Sequence, residues 1–360
     1  MTGFPLRWTI WLWIAIAGCS APRYAESDHF DGDRFFNPTR IESPGLFALS
    51  RHILFGRDGE WPDDTRVPSA APSLGMAKAS EVAVTFVNHA TLLLEFDGLT
   101  VLTDPVWSTR VGPFSWAGPR RAIEPGIPFE MLPAIDIVLI SHNHYDHLDS
   151  PTVERLANEH APVFLVPLGV RDWFQDLGIE RVAEFDWWNG IELSPGSEVV
   201  FCPAQHNSGR SPFSNDETLW GSFLIRHGGG SVYFAGDTAY ESHFREVSER
   251  LGPIDVALLP IGAYAPRETM RAFHMDPTDA VRAHMDLNAR ASVAMHFGTF
   301  QLTAEDFEAP PRELAHARAE AGIDSAAFVV LAEGETRAFP IGSSKRRPEH
   351  ALRERDYSQR

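Results

Sequence analysis

The chemistry in this sequence is concentrated at residues 141–147, where histidines alternate with other residues. The run holds the pattern His-x-His-x-Asp-His, made by His142, His144, Asp146 and His147. Imidazole and carboxylate groups are the ligands that zinc takes in catalytic sites that keep a position open. So many ligands in so short a run predict two metal ions rather than one, the alternative being a chance clump of histidines.

The elements around this run predict where it lies. Residues 135–140 are mostly apolar and β-branched over the length of a buried strand. Ser150 followed by Pro151 predicts a helix start, with the serine as N-cap and the proline at the first helical position. The histidines should therefore occupy a short loop at the carboxyl end of a strand.

Three further predicted strands lead into side chains that can bind a metal, namely His206, Asp237 and His296. A single histidine after a strand usually has no such role, but the loop at 141–147 lacks a complete set of ligands. Asp104, at the end of another predicted strand, has two interpretations. Its carboxylate either orients a ligand histidine or caps the turn.

Composition limits the kind of partner. The formal net charge is -18 and the sequence pI is about 5.2. A broad nucleic-acid footprint needs clustered lysine and arginine, so we expect no nucleic-acid partner. The chain has 360 residues, of which 44% are hydrophobic, and can bury a large core. One α/β domain of this size is ordinary.

The first residues resemble a targeting segment. Residues 8–17 are apolar but too few to span a bilayer, and Cys19 follows them, as in a bacterial lipoprotein signal cut before a lipidated cysteine. We therefore expect a lipid anchor on Cys19 that holds the protein on a membrane surface of the cell envelope. Ser20 favours the periplasmic face of the outer membrane. The alternatives to a cleaved signal are an uncleaved interfacial anchor or a wrong start codon. The alternative location is the cytoplasm or the inner membrane.

The loop at 105–128 combines aromatic and basic side chains. It carries Phe114 and Trp116, together with the pair Arg120 and Arg121. Aromatic rings suit lipid chains and guanidinium groups suit a phosphodiester, so we predict that the arginines bind a lipid substrate. The alternative is that the rings cover the core and the arginines are solvated.

The order of the predicted ligands along the chain resembles the metallo-β-lactamase fold, an α/β fold in which an αββα sandwich carries a two-metal site along one edge of its sheets. Longer motifs resemble the N-acylphosphatidylethanolamine-hydrolysing phospholipase D family over about residues 35–341. These motifs are His-Asn-His-Tyr-Asp-His-Leu-Asp at 142–149, Asp-Trp-Trp at 186–188, Leu-Trp-Gly-Ser at 219–222, Ile-Gly-Ala-Tyr at 261–264, His-Met-Asp-Pro at 274–277 and His-Phe-Gly-Thr-Phe at 296–300. The tyrosine after Ile-Gly-Ala and the final Gly-Thr-Phe indicate this family in particular.

The resemblance implies a complete set of metal ligands. One metal would be held by His142, His144 and His206, the second by Asp146, His147 and His296, and Asp237 would bridge them. Two zinc ions are expected from the ligand types, and iron or manganese also tolerates histidine and aspartate.

The resemblance also implies a reaction. Metal binding lowers the pKa of water to about 7, which gives a hydroxide at neutral pH. Its attack on phosphorus would release N-acylethanolamine and leave phosphatidic acid. His274 would act as an oxyanion stabiliser or as a general acid, Asp146 would share in catalysis, and Tyr264 would contact the substrate with the arginine pair.

The expected organisation is a signal peptide at 1–18, a tether and N-terminal wrap at 19–80, the hydrolase domain at 81–341 and a polar tail at 342–360. A lactonase or another small-molecule ester hydrolase is the alternative function, because one two-metal site serves both chemistries. A long apolar groove would favour a phospholipid, and a small polar pocket would favour a lactone. A surface protein with a structural metal is disfavoured, since structural zinc sites are usually rich in cysteine.

Overall fold

The computed structural model describes residues 24–39, 59–211 and 214–342. Two seven-stranded sheets form its centre. The strands of the first sheet are β1 Glu81–Asn88, β2 Thr91–Phe96, β3 Leu99–Thr103, β4 Ile137–Leu139, β5 Val163–Pro167, β6 Val182–Phe185 and β14 Thr336–Pro340. Their spatial order is β14-β1-β2-β3-β4-β5-β6.

The second sheet is built almost entirely from the second half of the chain. Its strands are β7 Gly190–Ser194, β8 Ser197–Cys202, β9 Ser222–His227, β10 Gly230–Phe234, β11 Val256–Pro260, β12 Ala291–Met295 and β13 Phe328–Val329. Their spatial order is β13-β12-β11-β10-β9-β8-β7. The return of β14 to pair with β1 in antiparallel fashion ties the end of the described chain to its first strand.

Helices flank the sheets. They are α1 Ser150–Glu159, α2 Arg171–Asp176, α3 His243–Leu251, α4 Arg267–Met270, α5 Pro277–Asp286 and α6 Ala309–Ala321, with a 3-10 turn at Phe129–Met131. Successive side chains of β4 point to opposite faces of the first sheet and so enter two different cores. Leu139 belongs to the core that includes the second sheet, and Val138 belongs to the core beneath α1 and α2. The αββα sandwich expected from the sequence is confirmed.

The topology brings the carboxyl ends of several strands to one edge. In the first sheet β3, β4, β5 and β6 run parallel, and in the second β10, β11, β12 and β13 do so. Parallel strands end on the same side of their sheet, so the residues that follow β3, β4, β10 and β12 collect there. These are the positions at which the sequence places its candidate ligands.

The helix boundaries correct two details. The N-cap of α1 is Asp149, one residue before the predicted Ser150. The carboxylate of Asp149 accepts hydrogen bonds from the backbone N–H and the hydroxyl of Ser108, so the cap also anchors the neighbouring loop. The sequence at 168–177 also predicts a helix, closed by Gly178, and the structure shows only the shorter α2 there. At α5, Asp276 followed by Pro277 predicts an N-cap, and the structure confirms it, because Asp276 accepts from the backbone N–H of Asp279.

Residues 24–39 pack onto the body of the protein. Phe30 and Phe35 are buried in the core between the sheets. The side-chain amide of Asn37 donates to the backbone carbonyl of His206 over 2.7 Å. This segment therefore supports the loop of a candidate ligand.

The predicted lipid anchor at Cys19 lies outside the described residues. The same holds for the segment 45–55, where the spacing of apolar residues predicts a short amphipathic helix. Among the residues that the structure describes, no helix is both long and apolar enough to cross a membrane.

Candidate metal centre

Three histidine nitrogens converge from the two sheets. Nε2 of His142 lies 2.8 Å from Nδ1 of His144, and Nε2 of His206 lies 3.4 Å from the same nitrogen. Two nitrogens at zinc-binding distance from one tetrahedral ion are about 3.4 Å apart, so the three can share a metal. His142 and His144 precede α1, and His206 follows β8, so this group joins the two sheets.

A second group of three has even more regular spacing. Nε2 of His147 lies 3.2 Å from Nε2 of His296 and 3.4 Å from Oδ2 of Asp146. The remaining edge, from Nε2 of His296 to Oδ2 of Asp146, is 3.6 Å. All three separations are close to those of donor atoms around one tetrahedral ion.

The carboxylate of Asp237 lies between the two groups. Its Oδ2 is 3.2 Å from Nε2 of His147 and 3.8 Å from Nε2 of His206. Its Oδ1 is 3.1 Å from Nε2 of His296. One carboxylate therefore reaches donors of both groups, which is the arrangement that a bridging ligand requires.

Hydrogen bonds on the far side of each ring fix the histidine orientations. Nδ1 of His147 lies 2.6 Å from Oδ2 of Asp104, and Nδ1 of His206 lies 2.9 Å from the carbonyl oxygen of Phe273. A proton on each Nδ1 leaves Nε2 with its lone pair toward the centre. Of the two interpretations of Asp104, the structure therefore favours orientation of a ligand histidine.

Asp104 also reaches a second ligand through Ser141. The Ser141 hydroxyl donates to Oδ2 of Asp104 over 2.6 Å, and its oxygen lies 2.9 Å from Nδ1 of His142. Because the hydroxyl proton is used toward Asp104, the oxygen can accept from the His142 ring. A single fully buried carboxylate thus orients one histidine of each group.

A close approach of the backbone explains the glycine before Asp237. Gly236 has φ +58°, and a Cβ atom there would lie 2.5 Å from Cβ of Ser141. Both the positive φ and the contact exclude a larger side chain. The turn therefore brings Asp237 directly against the loop of the first sheet.

The charges of the site match what metal ligands require. Burial lowers the pKa of His142 and His206 well below the ordinary value, so both rings are neutral. Burial alone would raise the pKa of Asp237, but the charges of His147 and His296 hold it well below its usual range. The buried carboxylates require positive charge nearby. Without a metal, protons on His147 and His296 supply it, and bound cations would take their place.

Facing nitrogens give an independent test of fit. Nε2 of His147 and Nε2 of His296 face each other at 3.2 Å. Without a metal the neighbouring carboxylates favour protons on both rings, and two N–H groups at this distance repel each other. A cation at the centre removes this conflict. The residues present therefore fit two metal ions, with the seven predicted ligands as donors.

His89 lies beside the second group of donors, and no role for it is predicted from the sequence alone. Its Nε2 lies 3.0 Å from Oδ2 of Asp146, and its ring centroid is 4.0 Å from that of His296. It occupies the tight turn between β1 and β2, with φ +46°. The available signal is a histidine directly after a strand, the same signal that identified His206.

His274 approaches the centre from the segment before α5. It is buried, and its Nδ1 lies 3.8 Å from Oδ2 of Asp237. This nitrogen makes no hydrogen bond among the described residues. Burial lowers the pKa of His274 to about 4, so the ring is neutral and can act as a hydrogen-bond donor.

The predicted substrate residues have different surroundings. Tyr264 is buried, and Arg120 is exposed at the surface. The prediction for Arg121 is not supported by the structure, because this side chain is only 2% exposed. Its guanidinium donates to the carbonyl oxygens of Ser108, Val106 and Ile123, at 3.0, 3.2 and 3.3 Å. Arg121 therefore holds the loop together rather than presenting a charge to a lipid phosphate.

Cys202 follows an apolar run, which predicts a small core residue rather than a nucleophile or ligand, and the structure confirms this. It is fully buried, and burial raises the pKa of its thiol, so it is not a nucleophile.

Comparisons with known proteins identify the family of the chain. Residues 100–297 match the family model described as a beta-lactamase superfamily domain. An uncharacterized protein of Mycobacterium tuberculosis is 41% identical over 80% of this chain and 79% of its own length. The N-acyl-phosphatidylethanolamine-hydrolyzing phospholipase D 1 of Caenorhabditis elegans is 35% identical over 85% of this chain and 92% of its own length.

A solved structure shows the same architecture. It is Igni18, a metallo hydrolase from Ignicoccus hospitalis KIN4/I, with a TM-score of 0.55 and 25% sequence identity. The match covers 72% of this chain and 98% of that one. The sheets and flanking helices described above are therefore shared with a metal-dependent hydrolase.

Proposed function

The chain belongs to the N-acylphosphatidylethanolamine-hydrolysing phospholipase D family within the β-lactamase superfamily, and on this premise we propose that it hydrolyses a phospholipid at phosphorus. The substrate would be an N-acylphosphatidylethanolamine or a closely related lipid. The products would be an N-acylethanolamine and phosphatidic acid. The family resemblance inferred from the sequence is thereby confirmed, and the lipid substrate is our proposal.

The observation that supports this proposal is the pair of three-donor groups with Asp237 between them. Metal ions bound there would activate a water molecule and polarise a phosphoryl oxygen. The chain's own part is to fix the geometry. Asp104, Ser141 and the Phe273 carbonyl hold the ligand rings, and the carboxylates of Asp146 and Asp237 set the charge of the site.

His274 lies close enough to His206 and Asp237 to share a metal with them, but we propose that it acts on the reacting group instead. Its unpaired Nδ1 faces the carboxylate that lies between the two groups, and its ring is neutral. A neutral imidazole can donate a hydrogen bond to a phosphoryl oxygen as negative charge develops on it. This supports the oxyanion-stabilising role over that of a charged general acid.

The reaction can be tested with purified protein and mixed lipids. We would supply N-acylated and plain phosphatidylethanolamines in ¹⁸O water and identify the products by mass spectrometry. Attack on phosphorus places the label in phosphatidic acid. Label in the freed N-acylethanolamine would mean carbon–oxygen cleavage and would contradict the mechanism.

The same experiment separates the lactonase alternative. A labelled fatty acid or hydroxy acid would instead show that water attacks a carbonyl carbon, as in an ester hydrolase or lactonase. The ligand set serves both reactions, so the products decide between them.

We propose two zinc ions as the resident metals, on the basis of the donor types. Iron and manganese also accept histidine and aspartate, and elemental analysis of protein purified without chelator distinguishes the three. A value near one metal per chain would argue against the paired site.

We further propose that Cys19 carries a lipid and that the enzyme acts at the bacterial cell envelope. The support is the apolar run that precedes this cysteine. Labelled fatty acid should be incorporated into the wild-type chain in a bacterial host and not into Cys19→Ala. Absence of label from the wild type would refute the anchor.

A further inference from the structure

An exposed aromatic pair marks the surface near the metal centre. Phe114 is 57% exposed and Trp116 is 75% exposed, and their rings stack at 5.2 Å with only 2° between the planes. Within the described ranges no other tryptophan is exposed to a comparable degree. Exposed large aromatic groups of this kind mark an interaction surface.

The aromatic tip, which we define as residues 112–118, is an ordered element. The backbone N–H of Val111 donates to the carbonyl of Pro119, and that of Ala117 donates to the carbonyl of Phe114, at 3.1 and 3.0 Å. Gly118 has φ +95°, and a Cβ atom there would lie 1.9 Å from the carbonyl oxygen of Val111. The stacked rings are therefore presented by a preformed turn, and binding would not have to order it.

The base of the aromatic tip is packed beside the metal centre. Val111 belongs to a small buried cluster with Val106 and Phe300, against which Tyr145 of the histidine loop packs. The Phe300 ring is 5.4 Å from the ring of His89. The tip thus projects from the edge of the sheets that carries the predicted ligands.

The charge around the tip is opposite to that of the chain. No aspartate or glutamate occurs at 105–123, although the chain carries 49 such residues and a net charge of -18. Arg110 and Arg120 pair across the base of the tip, and Arg120 is exposed. An anionic partner can therefore approach the tip, whereas the net negative charge of the rest of the protein would repel it.

We propose that the aromatic tip docks on an anionic phospholipid bilayer, with Phe114 and Trp116 in the interfacial layer and the two arginines toward lipid phosphates. Tryptophan is the side chain that this layer favours, and arginine at its border pairs with phosphate. The edge that carries the metal centre would then face the bilayer. The physiological meaning of this docking rests on the proposed lipid hydrolysis, but the docking itself can be measured without turnover.

The test uses the full chain and vesicles of phosphatidylcholine with phosphatidylglycerol, neither of which is N-acylated. We compare the wild type with Phe114→Ser/Trp116→Ser, and with the control Val67→Ser/Met285→Ser, which removes two other exposed apolar side chains. The tip variant should lose at least about tenfold in vesicle partitioning, given the apolar area removed. The control should partition like the wild type. Equal partitioning of the tip variant and the wild type would overturn the proposal.

A second measurement locates the tip itself, because all variants share the same N-terminal segment, and a lipid on Cys19 would itself bind vesicles. Brominated lipids quench tryptophan that lies in the bilayer, so the wild type should lose more fluorescence than Trp116→Phe. Equal quenching of the two proteins would show that Trp116 stays outside the bilayer and would also overturn the proposal.

Two further measurements distinguish bilayer docking from damage to the active site and from self-association. Hydrolysis of a short-chain, fully dissolved N-acyl phosphodiester should be unchanged in the tip variant if the proposed function is right. Absence of that activity in wild type and variant alike would refute the function and leave vesicle binding intact. If the tip variant instead changes the oligomeric state in solution with vesicle binding unaltered, the tip contacts a second copy and the proposal is wrong.

Discussion

The Nε2 atom of His89 lies 3.0 Å from Oδ2 of Asp146, and the backbone carbonyl of His89 accepts the N–H of His296 over 2.7 Å. A turn of the first hairpin therefore touches a predicted ligand from each sheet. Burial lowers the pKa of His89 to about 3, so its ring is neutral and can offer one N–H to the carboxylate.

We expect His89→Ala to weaken metal binding by the second group. Removal of a group that orients a ligand typically costs about 10–100-fold in metal affinity. His89→Gln retains an N–H donor and should lose less. Chelator competition, followed as metal content, measures the effect without an activity assay. Identical metal retention in His89→Ala and the wild type would show that the contact does not position Asp146.

Asp237→Asn tests the carboxylate between the groups. The amide halves the number of acceptor oxygens and removes the negative charge that both groups share, so metal content should fall from about two equivalents and activity should vanish. Elemental analysis of the variant against the wild type gives the result. Two equivalents retained in the variant would exclude a bridging role for Asp237.

His274→Ala should keep its metals and lose turnover. Loss of one transition-state hydrogen-bond donor typically costs about 10²–10³ in kcat, with little change in KM. Steady-state kinetics and metal content are measured on the same preparation. A fall in metal content would make His274 a ligand, and an unchanged kcat would remove it from the mechanism.

Arg121 and Arg120 provide a matched pair for stability. Arg121→Ala removes a buried guanidinium that donates to three carbonyl oxygens, of which, among the described residues, only that of Val106 keeps another donor, the side-chain amide of Asn88. The loss should cost roughly 2–4 kcal/mol of unfolding free energy. Arg120→Ala removes an exposed side chain and should stay within about 0.5 kcal/mol of the wild type. Urea denaturation compares the two. Equal stabilities would mean that the Arg121 hydrogen bonds contribute nothing net.

His29 should make stability depend on pH. Burial, the largest single effect, lowers its pKa, but hydrogen bonds to Asp186 and Asp28 outweigh burial and raise the pKa above the ordinary value. A raised pKa in the folded state stabilises the protein fully below about pH 6.5, and this contribution is lost as the pH rises through the folded value. Melting temperatures of wild type and His29→Gln should therefore converge as the pH rises above about 6.5. A constant difference would exclude the effect.

Much of the sandwich could be predicted because its strands are apolar runs that end in polar side chains. The strands before Asp237 and His296 are fully buried, and each lies where the hydrophobic pattern placed it. Parallel pairing then brings their ends together without any further information in the local sequence. That is why the structure brings together all seven predicted ligands at one edge.

Sequence-based prediction failed for side chains whose surroundings are supplied by distant segments of the chain. Arg121 is buried because Ser108, Val106 and Phe300 close around it, and nothing in the Arg-Arg pair itself indicates which arginine turns inward. The role of His89 could not be predicted because its partners, Asp146 and His296, are 57 and 207 positions away. The residues around the hairpin turn give no information about either partner. Burial and long-range contact are properties of the fold, so local patterns cannot assign them.

Each group of predicted ligands takes members from both sheets, and this has a consequence for how the protein matures. The first sheet is nearly complete by residue 185, and the second begins at residue 190, so the metal ligands join two consecutive parts of the chain. Metal ions bound between the sheets would act as cross-links that favour the folded state over the unfolded one. Metal starvation would then do more than switch off an enzyme. It would leave newly made chains less stable and more exposed to proteases, so the amount of protein in the cell would follow the metal supply.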